Sequence, residues 1–201
     1  MSMHLRRRHL LALGLSSICV ARNARADSVV DAAAPIARLN AALEARSAGF
    51  AQRVAMLEPV LVESFDLPYV LRMSVGPRWS TLTSQEQQHL LDVFPRYIAA
   101  NYAANVTGGQ AIRIMPEQRR LPDGGVVVQT RITDKGGEEH RLDYVMRLTA
   151  AGWRAQDVLA NGTISRVAVQ RSDFGAVLAR GGAAGLASRM AQVAASLGSV
   201  A

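Results

Sequence analysis

Few side chains in this 201-residue protein could perform acid–base or nucleophilic chemistry. It contains four histidines and one cysteine. His140 follows Glu138 and Glu139, and it could act as a general base if a carboxylate oriented its ring. Asp143 and Asp157 are the other groups that a buried acid–base site could use. The sequence lacks a G-x-S-x-G nucleophile turn, a P-loop and a dinucleotide-binding fingerprint, so no motif assigns a reaction to these residues.

Each of these groups also has a plain structural interpretation. His140 lies beside a predicted hairpin turn, where we expect an exposed or edge histidine. Side chains alternate between the two faces of a strand, so Asp143 is expected to point away from Tyr144 and towards solvent. His89 falls near the start of a predicted helix, and we expect it at the surface. The sequence therefore predicts no catalytic residue and no metal site.

The N-terminal segment supplies most of the formal net charge of +7. Three arginines at 6–8 precede an apolar run over 10–20, and Ala24-Arg25-Ala26 follows as an A-x-A cleavage pattern. This order is typical of a secretory signal, and Arg7-Arg8 resembles a twin-arginine signal. We predict an export signal over residues 1–26, recognised by the twin-arginine or the general secretory system. A chain cleaved there keeps 18 basic and 16 acidic residues and loses Cys19, which argues against a nucleic-acid partner and against disulfides.

The rest of the sequence begins with helical periodicity. Over residues 27–109 apolar side chains recur every three or four positions, which predicts amphipathic helices. The stretch TSQE at 83–86 is a capping box for a long helix, because the threonine hydroxyl and the glutamate carboxylate can each accept from the other residue's backbone N–H. Helical spacing returns over residues 161–201.

Between these helical parts, residues 110–160 have a period of two, which predicts a sheet. Glycine-containing breaks divide it into four strands in an antiparallel meander, near residues 110–120, 125–133, 139–149 and 152–159. One face of this sheet is apolar, so helices from both ends of the chain must cover it. The sequence therefore predicts an α+β fold and a single domain over residues 27–201.

Spaced aromatic and glycine residues carry a family resemblance. A first block over residues 63–106 contains, in order, Phe-Asp, a short helix, Gly-x-x-Trp, Thr-x-x-Glu, and a helix with one phenylalanine and two tyrosines. The residues at these positions are Phe65, Asp66, Gly76, Trp79, Thr83, Phe94, Tyr97 and Tyr102. A second block contains Asp143-Tyr144, Gly152-Trp153 and Arg171-Ser172-x-Phe174. Over residues 29–190 the chain resembles the MlaC-like family of periplasmic lipid carriers, the auxiliary proteins of toluene-tolerance ABC transporters. The stretch NGTISRVAVQRSDF is most similar to the hopanoid-biosynthesis-associated branch, and Gln170 stands where the main branch usually has tyrosine.

This resemblance implies a carrier without a cofactor. Members hold acyl chains in an apolar cavity between sheet and helices, and they exchange lipid with an inner-membrane ABC transporter that has an MCE-domain ring and with an outer-membrane lipoprotein or complex. Placed on this sequence, the cavity would be lined by Tyr69, Val70, Met73, Val75, Phe94, Ile98, Tyr102, Val128, Tyr144, Met146, Ile164 and Val167.

Several alternatives stay open at this point. The ligand could be a glycerophospholipid or a hopanoid-like polycyclic lipid. The same apolar residues could simply fill a core, because an amphipathic stripe is more often core than pocket. A curved sheet covered by helices is also the framework of small cone-shaped isomerases and hydratases, which would need a buried Asp143, Asp157 or His140. A third alternative is a lipid-free adaptor of the transporter.

Overall fold

The structure, a computed structural model, describes residues 20–45, 49–106, 110–134 and 136–200. Within these ranges helices come first, strands follow, and one long helix ends the chain. The helices are α1 (Val20–Glu44), α2 (Phe50–Ser64), α3 (Leu67–Val75), α4 (Ser84–Asn105) and α5 (Arg166–Val200), and the strands are β1 (Ala111–Ile114), β2 (Arg119–Arg120), β3 (Val126–Thr133), β4 (Glu139–Thr149), β5 (Gly152–Ala160) and β6 (Ile164–Ser165). No helix in the described part of the chain combines the length and apolar character needed to cross a bilayer.

The predicted export signal falls mostly on residues 1–19, which lie outside the described residues. Helix α1 starts at Val20 and continues through the predicted cleavage position after Ala26. Its described buried stripe starts at Ala32 and continues through Ile36, Leu39 and Leu43. Cleavage after Ala26 would therefore leave this stripe in place, and cleavage itself stays a prediction.

Helices α3 and α4 begin at side-chain caps. The Asp66 carboxylate accepts from the backbone N–H of Tyr69 at 3.2 Å, at the start of α3. At the start of α4 the predicted capping box is confirmed: the Thr83 hydroxyl accepts from the Glu86 N–H at 3.3 Å, and the Glu86 carboxylate accepts from the Thr83 N–H at 2.8 Å. These contacts satisfy N–H groups that a helix start leaves without intrahelical partners.

We expect Thr83→Ala to lower the free energy of unfolding by about 1 kcal/mol, the usual cost of removing an N-cap hydroxyl. Urea denaturation followed by circular dichroism measures this change. Ser196→Ala is the control, because the Ser196 hydroxyl donates only to the Val193 carbonyl within α5 at 3.0 Å. An equal effect of the two substitutions would contradict a capping role for Thr83.

The sheet confirms the antiparallel prediction and differs from it in strand number. The strand order is β1-β3-β4-β5-β6, and β2 also pairs with β3. The predicted first strand, 110–120, is divided into β1 and β2, and Pro116 between them has no N–H to donate to a ladder. The short β6 extends the sheet beyond the predicted fourth strand through pairs such as Leu159 with Ser165.

Helices cover one face of this sheet. Helix α1 packs against β1, β3, β4 and β5, and α5 packs against β5. The covered face contributes Val128, Tyr144 and Met146 to the core, each with no exposed surface. Phe65, at the junction of α2 and α3, makes edge-to-face contacts with Tyr102 and Tyr144, both with ring centroids 6.1 Å apart. The predicted α+β fold with helices from both ends of the chain is confirmed.

Helix α5 consists of two helical halves. Gly182, with φ 60° and ψ −162°, interrupts it, as expected for a residue type that adopts positive φ without strain. The first half buries Phe174 and Leu178, and the second buries Leu186 and Met190. The break thus lets both halves pack on the same core, in agreement with the predicted C-terminal helices.

Candidate functional site

A cavity of about 290 Å³ lies between the covered face of the sheet and the helices α3, α4 and α5. Ligand pockets of drug-sized molecules occupy about 300–1,000 Å³, so this volume is at the lower end of that range. The lining residues come from five elements and two connections: Phe65, Leu67, Val70, Ile98, Asn101, Tyr102, Asn105, Val106, Leu142, Asp157, Val158, Ala160, Arg166, Val167 and Gln170.

Most of the cavity wall is apolar. Leu67 and Val70 line it from α3, Ile98 from α4, and Val158 from β5, and all four are buried. These side chains recur on their helices at intervals of three or four, and on the strand they alternate with residues of the opposite face. The wall can therefore shield a hydrocarbon chain from water.

Tyr102 lines the cavity, and its hydroxyl bonds to that of Tyr144 in the core. Burial, together with the neighbouring Tyr144 hydroxyl, raises the pKa of Tyr102 well above its usual value. Burial also raises the pKa of Tyr144 to about 12. Both phenols therefore stay neutral at physiological pH, and they introduce no charge into the cavity.

The lining also contains polar side chains from α4 and α5. Asn101 and Asn105 are one turn apart on α4, and Arg166 and Gln170 are one turn apart on α5. The amide nitrogens of Asn101 and Asn105 donate to backbone carbonyls four residues earlier, each at 2.8 Å. Asn105 and Arg166 are exposed and Asn101 and Gln170 are half-buried, whereas the apolar wall is buried, so we call these four polar residues the mouth of the cavity.

Asp157 also lines the cavity, and its role is structural. Its Oδ1 accepts from the N–H groups of Val158 at 2.8 Å and Val167 at 3.1 Å, and its Oδ2 accepts from the Ser165 hydroxyl at 2.5 Å. These bonds satisfy the start of α5. Both carboxylate oxygens are therefore engaged and are poorly placed to act as a base.

The prediction that Asp143 faces solvent is wrong. Asp143 does point away from Tyr144, yet it is 1% exposed. The Arg141 guanidinium folds over it and donates through Nε at 2.8 Å and Nη2 at 2.5 Å. The Arg141 group also lies against Gly162 in the turn between β5 and β6, where a Cβ atom would come within 2.8 Å of it. The simple alternation rule failed because a neighbouring long side chain covers this part of the outer face.

His140 is exposed, as predicted, and lies outside the cavity. Its Nε2 is 3.3 Å from Asp134 Oδ2 at the β3–β4 hairpin. Asp134, Glu138 and His140 each place one potential ligand atom within 4.8 Å of the others. The Asp134 carboxylate already accepts from the N–H groups of Gly136 at 2.8 Å and Glu138 at 2.9 Å, so it is part of the turn. Asp143, Asp157 and His140 therefore do not converge on one site.

The predicted lining residues occupy four environments. Val70, Ile98, Tyr102 and Val167 line the cavity. Buried core positions outside the lining are occupied by Val75, Phe94, Val128, Tyr144 and Met146. Tyr69 and Met73 line a neighbouring groove of about 290 Å³, which shares Asp157 and Val167 with the cavity. Ile164 is 51% exposed, because it lies on the two-residue β6 at the sheet edge.

Other lining residues were missed by the sequence analysis. Phe65 and Leu67 belong to the first aromatic block and could have been found by following α3 back to its start. Asn101 and Asn105 follow Ile98 on the same helix, so the four-residue spacing was a usable signal. Arg166 and Gln170 have the same spacing, but nothing local shows that the start of α5 meets α4.

A larger groove of about 710 Å³ lies elsewhere, between the start of α2 and the end of α5. Its lining includes Phe50, Arg96, Ala194 and Gly198. It is an open surface depression with many small side chains, so it offers less shielding from water than the cavity between sheet and helices. We therefore regard the smaller cavity as the candidate site.

Comparisons with known proteins agree with this geometry. The profile of the family described as MlaC protein matches residues 32–192. The chain belongs to the MlaC protein family. A similar solved structure is that of a phospholipid-binding protein from Ralstonia solanacearum in complex with a phospholipid, with a TM-score of 0.70 and 21% identity over 85% of this chain and 98% of that one. No curated protein matches the sequence.

The family match confirms the resemblance found in the two aromatic blocks, while the hopanoid-associated branch stays a prediction. The structural similarity shows a shared fold, since the identity is low. Membership in this family favours a binding or transport protein over an enzyme. The positions of Asp143, Asp157 and His140 agree with that conclusion.

Proposed function

We propose that this protein is a periplasmic lipid carrier that holds an acyl chain in the cavity between α3, α4, α5 and the sheet. The observation that carries the proposal is the cavity itself, with apolar walls and a single polar mouth. Membership in the MlaC family and the phospholipid bound to the similar Ralstonia solanacearum protein support it.

Carrying a lipid in this way requires no chemical step. Each methylene removed from water contributes about 0.8 kcal/mol, so a long chain stays in an apolar cavity without a covalent bond. The polar group remains at the mouth, where Asn101, Asn105, Arg166 and Gln170 lie. Release then requires a partner that offers the chain an equally apolar environment.

The size of the cavity limits what it holds without rearrangement. At about 290 Å³ it suits one chain better than two. A two-chain lipid would require the core to move, and Tyr144 in that core packs edge-to-face on Phe65 of the cavity lining. The Phe65 ring lies between the cavity and Tyr144, so its displacement would extend the cavity towards Tyr144.

The proposed route runs between two membranes. The predicted export signal would deliver the protein to the periplasm, and family membership supports that compartment. By analogy with the family, the exchange partners would be an inner-membrane ABC transporter with an MCE-domain ring and an outer-membrane lipoprotein or complex. The cargo would be a phospholipid. It would be a hopanoid-like lipid if the resemblance of residues 161–174 to the hopanoid-associated branch extends to the ligand.

Lipid extraction tests the proposal. The protein is purified from the periplasm after export by its own N-terminal segment, and its extract is analysed by mass spectrometry. We expect one class of lipid at about one molecule per protein, because a cavity of about 290 Å³ has room for about one acyl chain. A protein without lipid, including after incubation with vesicles, would overturn the carrier proposal and favour a lipid-free adaptor.

A further inference from the structure

Phe65 separates the cavity from the buried core. Its ring lines the cavity, and it contacts Tyr102 and Tyr144 edge-to-face with ring centroids 6.1 Å apart in both pairs. Tyr102 also lines the cavity, whereas Tyr144 has no exposed surface and does not line it. Phe65 itself is 6% exposed. An acyl chain that extended beyond Phe65 towards Tyr144 would therefore have to displace this ring.

Phe65 and the exposed part of the mouth lie at different positions along β5. The backbone of Phe65 forms a bridge to Ala155. Ala160, at the end of β5, pairs with Ile164, and Arg166 follows two residues later. The five residues from Ala155 to Ala160 span about 16 Å along an extended strand. A lipid whose polar group stays beside Arg166 therefore has its chain running towards Phe65.

The backbone around Phe65 is held independently of its ring. The Phe65 N–H donates to the Leu61 carbonyl at 2.9 Å, and the Asp66 N–H donates to the Ala155 carbonyl at 3.0 Å. The Asp66 carboxylate also accepts from the Gln156 side-chain amide at 2.9 Å. Truncation of the ring leaves these contacts in place. It therefore opens space at this end of the cavity, which the surrounding side chains fill only in part.

We infer that the Phe65 ring closes the inner end of the cavity and sets the longest acyl chain that the protein accepts. The inference rests on the proposed carrier function and specifies the length of its ligand. Each methylene that leaves water for an apolar site strengthens binding about fourfold. A methylene beyond the limiting length lacks this contribution, because it either stays in water or displaces a ring that packs on two others.

A transfer experiment with lysolipids of increasing chain length tests the inference. The full-length exported protein is incubated with phosphatidylcholine vesicles that contain equal amounts of saturated lysophosphatidylethanolamines, from lauroyl to arachidoyl in two-carbon steps. The protein is re-isolated, and mass spectrometry compares its lipids with those left in the vesicles. We expect equal occupancy for chains that fit, because their methylenes pass from one apolar environment to another. Beyond the limiting length, occupancy should fall up to about tenfold per step.

Variants assign this limit to one side chain. In Phe65→Ala the fall should begin at least one step later. Phe65→Leu preserves an apolar side chain, and it should raise occupancy at the first excluded length about fourfold, the effect of one additional buried methylene. Leu90→Ala is the control for a general loosening of the core, since Leu90 is fully buried and does not line the cavity. Its fall should begin at the wild-type length. Circular dichroism checks that each variant is folded.

Several outcomes would overturn the inference and leave the carrier function intact. They are an unchanged limit in Phe65→Leu or in folded Phe65→Ala, an equal shift of the limit in Leu90→Ala, and equal occupancy over the whole series in the wild-type protein. A wild-type protein that takes up no lysolipid would also overturn the inference. Extraction of the protein from the periplasm then decides separately whether the carrier function fails as well.

Discussion

Ile98→Asp is expected to lower the lipid bound to the purified protein at least about tenfold. Ile98 is 8% exposed and lines the cavity from α4. A carboxylate at this position would have to lose its hydration when a hydrocarbon chain enters, which costs several kcal/mol. In the empty protein the same group can stay hydrated within the cavity, so we expect a smaller loss of stability than of lipid binding.

A matched substitution separates binding from folding. Leu90 is on the same helix, two turns before Ile98, and it is fully buried without lining the cavity. Leu90→Asp should unfold the protein or lower its midpoint of urea denaturation strongly, because the carboxylate has no water there. Lipid occupancy and denaturation are measured for both variants. If Ile98→Asp loses lipid and stability in equal proportion, Ile98 is ordinary core and the cavity is not the binding site.

Local features of the sequence were sufficient for much of the fold. The capping box at Thr83 and the helical stripes depend on residues at most a few positions apart, and both were predicted correctly. Glycines mark the sheet turns in the same way: Gly124 and Gly152 have φ values of 84° and 93°, which few other residues adopt without strain. The period of two then placed Tyr144 and Met146 on the covered face.

The division between core and cavity could not be predicted in this way. Phe94 and Ile98 are one turn apart on the same stripe of α4, and the sequence treats them alike. Phe94 packs edge-to-face on Phe174 of α5 with ring centroids 6.5 Å apart, whereas Ile98 faces the cavity. The position at which α5 crosses α4 therefore determines which of the two residues belongs to the core. This position depends on contacts between distant parts of the chain.

Strand alternation also predicted burial incompletely. It indicates the face of the sheet on which a side chain lies, but it does not show whether other residues cover that face. Asp143 is on the outer face as expected, but the Arg141 side chain and the turn at Gly162 bury it. Ile164 shows the opposite case, since an apolar side chain at the end of the sheet stays exposed. Both outcomes depend on neighbours across strands and at the sheet edge.

Burial of Asp143 leads to the second large expected effect, a loss of about 2 kcal/mol in the free energy of unfolding for Asp143→Ala. The substitution removes two charge-assisted hydrogen bonds from Arg141 and leaves a small gap on the outer face. The Arg141 side chain is 37% exposed, so its guanidinium can regain water, and the loss stays below that of a fully buried unpaired charge.

An exposed ion pair between β1 and β4 is the control for this prediction. Arg113 and Glu139 are 2.7 Å apart, with side chains 67% and 48% exposed, so Glu139→Ala should cost less than about 1 kcal/mol. Urea denaturation of both variants at low and high salt gives the comparison, and salt should weaken the exposed pair more than the buried one. Lipid binding should change little in either variant, because neither carboxylate lines the cavity. Equal stability losses would mean that the Asp143–Arg141 pair stabilises the fold no more than a surface pair does. Loss of lipid in Asp143→Ala without loss of stability would instead indicate that Asp143 belongs to the binding site.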